Sequence, residues 1–235
     1  MKIIAGNWKM NGTHEILNDM VSAISQLDTD NRVILCVPYT MLRSGNATVM
    51  IGAQNVSKYE NGAHTGDISA EMVASTGASV SLIGHSESRA ELHDTNIDVA
   101  KRAEMAIKND LLPIICIGET AEERDAGDTF KVIEQGIKES IPANAENGNF
   151  IIAYEPRWAI GAGITPTHSE IAKIHKFIHD ILCETGFDDT PILYGASVTA
   201  DNSAEIMGIE NVDGVLVGGA SLKKDSFIPI IKSVK

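Results

Sequence analysis

The chain has 235 residues, 43% of them hydrophobic, enough for one large core or two small ones and too many for a disordered chain. Its formal charge of −13 argues against a nucleic acid or an anionic membrane as partner, and any bound anion must be held by local groups. Three cysteines, Cys36, Cys116 and Cys183, stand at wide spacings with no Cys-x-x-Cys and no His cluster, so neither a disulfide framework nor a metal site is expected. Short apolar runs then recur along the chain: Ile3 to Ala5, Val33 to Val37, Val49 to Ala53, Val80 to Ile83, Leu112 to Ile117, Phe150 to Ala153, Ile192 to Tyr194 and Val215 to Val217. Most are followed by helical periodicity, such as Ile16, Met20, Ile24 and Leu27, or Ile171, Ile174, Ile178, Ile181 and Leu182.

Alternation of strand and helix predicts a parallel sheet. Eight units in 235 residues leave about 29 residues each, which suits a closed (β/α)8 barrel with outer helices in a single domain, 1–235. An open doubly wound sheet would want Gly-x-Gly-x-x-Gly after the first strand, where Gly6-Asn7-Trp8-Lys9 stands. Helix two is expected to be shortened, because Tyr39 to Asn46 has Pro38 before it and Gly45 inside. No apolar run is long enough to span a bilayer, and the Met1-Lys2-Ile3 start lacks the basic and apolar zones of a signal peptide, so a cytoplasmic protein is expected.

In such barrels the loops at the carboxyl ends of the strands converge on one mouth, where the chemistry collects. Just past the apolar runs stand Asn7 and Lys9, Gln54 and Asn55, His85 and Glu87, Glu119, Glu155, Gly195 to Ser197, and Gly218-Gly219. Glu155 is the candidate base. It ends a strand, Pro156 stops further pairing, and the small residues to Gly163 could fold over it and strip its water. His85 precedes Ser86-Glu87-Ser88, which suits a helix start, where a neutral imidazole can donate to a carbonyl oxygen and take a proton back. Lys9 offers a cation for a substrate anion and for charge developing on an oxygen. Gly218-Gly219 after the last strand offers unobstructed N–H groups for a phosphate, with Ser197 as the other wall. A base, a neutral acid, a cation and a phosphate cradle suit proton abstraction beside a carbonyl on a small phosphorylated substrate.

The motifs Gly6-Asn7-Trp8-Lys9-Met10-Asn11, Gln54-Asn55-Val56-Ser57, Gly84-His85-Ser86-Glu87, Cys116-Ile117-Gly118-Glu119-Thr120, Ala153-Tyr154-Glu155-Pro156, Ala159-Ile160-Gly161 and Val217-Gly218-Gly219-Ala220 occur in this order. Together they resemble the triosephosphate isomerase family over nearly the whole chain. The resemblance implies a TIM barrel that interconverts dihydroxyacetone phosphate and glyceraldehyde 3-phosphate through an enediolate without a cofactor. That family is itself the standard illustration of a Glu base, a neutral His and a closing loop, and these roles are the family's. Glu155 would then move the proton between carbons and His85 would polarise the carbonyl. Lys9 would supply positive charge with Asn7 beside it, and Glu87 would pair with the lysine. Gly161, Ser197, Gly218 and Gly219 resemble the phosphate donors, and the segment from Pro156 to Pro166 would close over the enediolate. The family is usually a homodimer, and Asn61 to Asp67 looks like the loop that enters the partner's site, with Thr65 near the partner's Asn7 region.

Four positions depart from the family pattern. Arg157 replaces an aliphatic residue in the lid hinge, Ala162 a threonine, and Ala196 the second glycine of a Tyr-Gly-Gly-Ser motif. Pro166 stands where the family's backbone N–H donates a latch bond to the tyrosine corresponding to Tyr194, and proline has no such donor. These changes imply a slower or less firmly closed lid rather than lost activity. Two other readings stand beside the isomerase: a different phosphate-binding barrel enzyme, and a catalytically idle descendant serving as a binding or surface protein, which should have lost Lys9, His85 or Glu155.

Overall fold

The computed structural model describes residues 1–161 and 164–234. Eight parallel strands close into a barrel in chain order: β1 (Ile3–Asn7), β2 (Arg32–Cys36), β3 (Val49–Ala53), β4 (Val80–Ile83), β5 (Leu112–Ile117), β6 (Ile151–Tyr154), β7 (Ile192–Tyr194) and β8 (Gly214–Val217). Closure joins β1 to β8 with Ile3 opposite Gly214. A Cβ at Gly214 would run into the Ile3 carbonyl, so the seam requires glycine there. β1 is longer than its apolar run predicts, and Asn7 ends the strand opposite Cys36 rather than following it.

Alternation along the strands separates two apolar layers. Ile3, Ala5, Ile34, Cys36, Leu82, Ile114, Cys116, Ala153, Leu193 and Leu216 belong to one cluster drawn from the strands alone. The alternate residues, among them Ile4, Val33, Leu35, Ile83, Ile115, Ile152, Val215 and Val217, pack with the helices in the larger cluster. Cys36 and Cys116 are fully buried, as expected of small hydrophobes, and burial pushes the Cys36 thiol up to about 12.

Among the described residues the outer helices are α1 (His14–Ser25), α2 (Ala70–Ser75), α3 (Ser86–Glu91), α4 (Asn96–Lys108), α5 (Ala121–Asp125), α6 (Thr129–Ser140), α7 (His168–Glu184), α8 (Ser203–Met207) and α9 (Lys224–Lys232). Side-chain caps start several of them. Thr95, Thr120 and Thr167 each form a reciprocal capping box with Asp98, Glu123 and Glu170. In α7 the whole predicted stripe of Ile171, Ile174, Ile178, Ile181 and Leu182 is buried. In α1 the predicted Met20 and Ile24 are buried and Leu27 packs partly against the core, whereas Leu17 takes the buried place expected for Ile16, which is exposed. Between β2 and β3 only a 3-10 turn forms, Tyr39–Met41, the extreme of the expected shortening.

Candidate active site

The strand ends build one cavity, lined by Asn7, Lys9, His85, Glu155, Gly161 and Ser197 together with Gly218 and Gly219. Its volume is about 250 Å³, room for a small metabolite. Eight sequence-predicted residues thus meet at one mouth. Glu87 lies beside it, and Thr65 sits apart on the exposed 61–67 loop.

Glu155 follows β6 and is only 2% exposed. Its Oε2 accepts the Ser86 backbone N–H at 2.9 Å, and its Oε1 lies 3.1 Å from His85 Nε2. His85 caps α3, with its Nδ1 accepting the Glu87 N–H at 3.2 Å. An Nδ1 that accepts carries no proton, so the proton is on Nε2 and the ring is neutral, donating toward Glu155. The 3.6 Å approach of Glu87 Oε2 to the same Nδ1 is therefore a contact between two acceptors, not an ion pair. Gly84, at φ +69°, turns the chain out of β4 just before the imidazole, a backbone conformation that glycine adopts freely.

Lys9 is held in a left-handed conformation, φ +53°, unusual for a residue with a side chain. Two groups hold it. Asn7 Oδ1 accepts its N–H at 3.0 Å, and Gln54 Nε2 donates to its carbonyl at 2.9 Å and to the Cys36 carbonyl at 3.1 Å. Its ammonium pairs with Glu87 Oε1 at 2.7 Å. Both partners are partly exposed, so this pair aims the cation more than it stabilises the fold.

On the opposite wall, a Cβ at Gly219 would meet nothing within 4 Å, and one at Gly218 would come no nearer than 3.8 Å to Lys9 Cε. Packing does not require these glycines; their missing side chains leave the cavity open to a ligand. Ser221 donates both its N–H, at 2.8 Å, and its hydroxyl, at 2.7 Å, to the Gly218 carbonyl and fixes this turn. Gly161 needs glycine for its own backbone, at φ +71°.

Several supporting groups carried no signal of their role in the sequence. Gly118 passes so close to Glu155 that a Cβ would run into its carbonyl, and a Cβ at Gly195 would stand 3.2 Å from Glu155 Cγ. Glu119, 1% exposed, accepts Tyr154 Oη at 3.2 Å and Trp158 Nε1 at 2.9 Å, and burial raises its carboxyl above the usual range. Arg124 covers the Trp158 ring at 3.9 Å. Gln54, Gly118 and Glu119 all fall just past predicted strands, and position was the only clue to them.

Of the four departures, Ala196 does not occupy a positive φ, so its Cβ costs no backbone strain here. Tyr194 Oη is buried and has no hydrogen-bond partner among the described residues. Arg157 starts a 3-10 turn, Arg157–Ala159, and its N–H donates to the Glu119 carbonyl at 3.0 Å. Ala162 lies outside the described residues, as does Gly163. Among the described residues there is no group of three or more His, Cys, Asp or Glu placed to hold a metal, and no helix long and apolar enough to cross a membrane.

Comparison with known proteins adds a family. The model of the family described as triosephosphate isomerase matches residues 2–234. The triosephosphate isomerase of Ruegeria sp. (strain TM1040) is 43% identical, with 99% of this chain and 98% of that protein covered. That of Bradyrhizobium sp. (strain ORS 278) is 41% identical, with 98% and 96% covered. The crystal structure of triosephosphate isomerase from Bartonella henselae superposes with a TM-score of 0.90 at 36% identity, covering 99% of this chain and 98% of that one.

Proposed function

The chain belongs to the triosephosphate isomerase family and is an isomerase of triose phosphates, and from that premise we propose that Glu155, His85, Lys9 and Asn7 carry the interconversion of dihydroxyacetone phosphate and D-glyceraldehyde 3-phosphate. Glu155 takes a proton from the carbon beside the carbonyl, an enediolate forms, and the same carboxyl returns a proton to the neighbouring carbon. His85 donates its Nε2–H to the carbonyl oxygen and shuttles a proton between the two oxygens. The net change moves hydrogens within one molecule, so its stoichiometry calls for no cofactor.

The Lys9 ammonium offsets negative charge on the phosphate and the enediolate, with Asn7 beside it. Gly161, Ser197, Gly218 and Gly219 hold the phosphate, in a protein whose overall charge of −13 would otherwise repel it. To reach a substrate carbon, Glu155 must leave Ser86 N–H and His85 Nε2. Closure of the segment from Pro156 to Pro166 supplies that movement and shields the enediolate from water.

The observation that carries this reading is the 3.1 Å approach of Glu155 to a neutral His85 on the wall of a cavity that also holds Lys9. An idle descendant has no reason to keep these three groups converged. The protein works as one domain, 1–235, in the cytoplasm, in glycolysis and gluconeogenesis, and as a homodimer in which Thr65 reaches the partner's Asn7 region. The exposed 61–67 loop supports the last point, braced by Tyr59 stacked on His64 at 3.8 Å and by Ser57 Oγ donating to Asp67 at 2.6 Å.

A coupled assay with glyceraldehyde 3-phosphate tests the roles. Glu155→Ala should lower kcat by roughly 10²- to 10⁴-fold. An unchanged rate in that variant overturns the assignment of the base.

A further inference from the structure

Behind the catalytic mouth, between the end of β5 and helices α3, α4 and α6, lies a second cavity of about 310 Å³. Two arginines line it, Arg89 and Arg157, with Thr95, Asn96 and Gln135 as polar walls. Arg89 Nε donates to the Gly84 carbonyl at 2.8 Å and Nη1 to Asn96 Oδ1 at 2.8 Å. Its Nη2 reaches the Cys116 carbonyl at 3.0 Å and Ser140 Oγ at 3.5 Å. Every acceptor is neutral. With five N–H groups on a guanidinium, one on Nη1 is left without an acceptor among the described residues.

The Arg157 guanidinium has neither an ion pair nor a hydrogen bond among the described residues; only its backbone N–H is engaged. Burial is the main cause that pulls the Arg89 pKa below the ordinary arginine value; the Arg157 charge pulls the same way, while Glu155 and Asp94 pull against it, and Glu122 feels the Arg157 charge. Glu123 also lines the cavity as a carboxylate, with its Oε2 accepting the Thr120 N–H at 2.8 Å in the cap of α5.

An independent observation concerns Gly136, buried in the middle of α6 and lining the same cavity. Glycine there costs about 1 kcal/mol of helix propensity relative to alanine. Packing does not demand it, since a Cβ would meet only Ile117 at an ordinary 3.5 Å. What the missing side chain provides is open volume beside the two cations.

We propose that this cavity is a second oxyanion site, taking a phosphate-sized dianion between the Arg89 and Arg157 guanidinium groups. Bidentate guanidinium donors suit the oxygens of phosphate. Arg157 stands two residues beyond Glu155, and Arg89 holds the carbonyl next to His85, so a bound dianion links both flanks of the catalytic pair from behind. The site does not depend on the catalytic roles assigned above.

Calorimetric titration with inorganic phosphate tests it, with the catalytic cavity first saturated by phosphoglycolate. The unmodified chain should take up one further phosphate. Arg157→Leu should weaken that uptake roughly tenfold or more, the loss expected of one charge-assisted contact, and Gly136→Val should weaken it by filling the space. No uptake once the catalytic cavity is full, or equal affinity in Arg157→Leu, overturns the proposal. The same titration with glycerol 3-phosphate identifies the source: tighter binding than inorganic phosphate assigns the site to an esterified phosphate, weaker binding to the free ion.

Discussion

Gln54 donates its side-chain amide to the carbonyl oxygen of Lys9 at 2.9 Å, across 45 residues of chain, and so holds the left-handed turn from which the ammonium reaches the cavity. The same amide ties that turn to the end of β2 through the Cys36 carbonyl. Gln54→Ala leaves a strained backbone without its clamp, and kcat/KM should fall roughly tenfold, the value of about one strong hydrogen bond. Steady-state kinetics on the folded variant checks this, and an unchanged kcat/KM would show the clamp to be dispensable.

Gly118→Ala should be the most damaging single methyl group near the site. The new Cβ would run into the Glu155 carbonyl, and backbone cannot step aside as a flexible side chain can. Overpacking of this kind costs about 1–3 kcal/mol, and here it also displaces the base. Thermal unfolding and the coupled assay should therefore both register the change; a variant with unaltered Tm and rate contradicts the close approach.

Tyr194→Phe should be nearly silent or mildly stabilising. The Tyr194 hydroxyl is buried without a partner among the described residues, and burial raises its pKa, so removing it relieves an unmet hydrogen bond. A large drop in kcat would show that the hydroxyl finds a latch during turnover despite Pro166. Rapid-kinetic measurement of lid motion is the companion test, with motion slower than in relatives that keep the N–H donor as the expected result.

His175 links stability to pH. It is fully buried in α7, bonded to the Asn211 carbonyl at 2.9 Å, and burial pulls its pKa from 6.5 down to about 4. Between those values the unfolded chain binds a proton that the folded chain refuses, so stability rises with pH across that window and is lost as pH falls through it. The shift corresponds to about 3 kcal/mol. Urea unfolding from pH 7 down to pH 4 should show the loss, and His175→Gln should flatten the slope; equal slopes would assign the acid sensitivity to other groups.

The fold was legible because its signals are local. Apolar runs bounded by Gly, Pro and polar residues marked all eight strands to within two residues, and the rule that chemistry gathers at strand ends then selected Glu155, His85 and Lys9. The first position of the α1 stripe shows the limit of such signals, since Ile16 and Leu17 fit the same periodicity and only packing against the barrel decides which is buried. The 3-10 turn at Tyr39–Met41 is a second case, where proline and glycine predicted weakness without specifying its form.

Residue type and order along the chain by themselves determined the barrel class, the set of reacting groups and the family, because each rests on a repeat or motif read within a few residues. Closure of the barrel decided the rest. Bonds such as Gln54 to Lys9, Trp158 to Glu119 and Ser86 to Glu155 join residues tens of positions apart, and the clamp on the left-handed Lys9 and the placing of Glu155 beside His85 exist only once those partners meet. The cavity between Arg89 and Arg157 belongs to the same class: nothing local pairs the two arginines, and only the packing of α3 and of the turn after β6 beside the end of β5 brings them to one cavity.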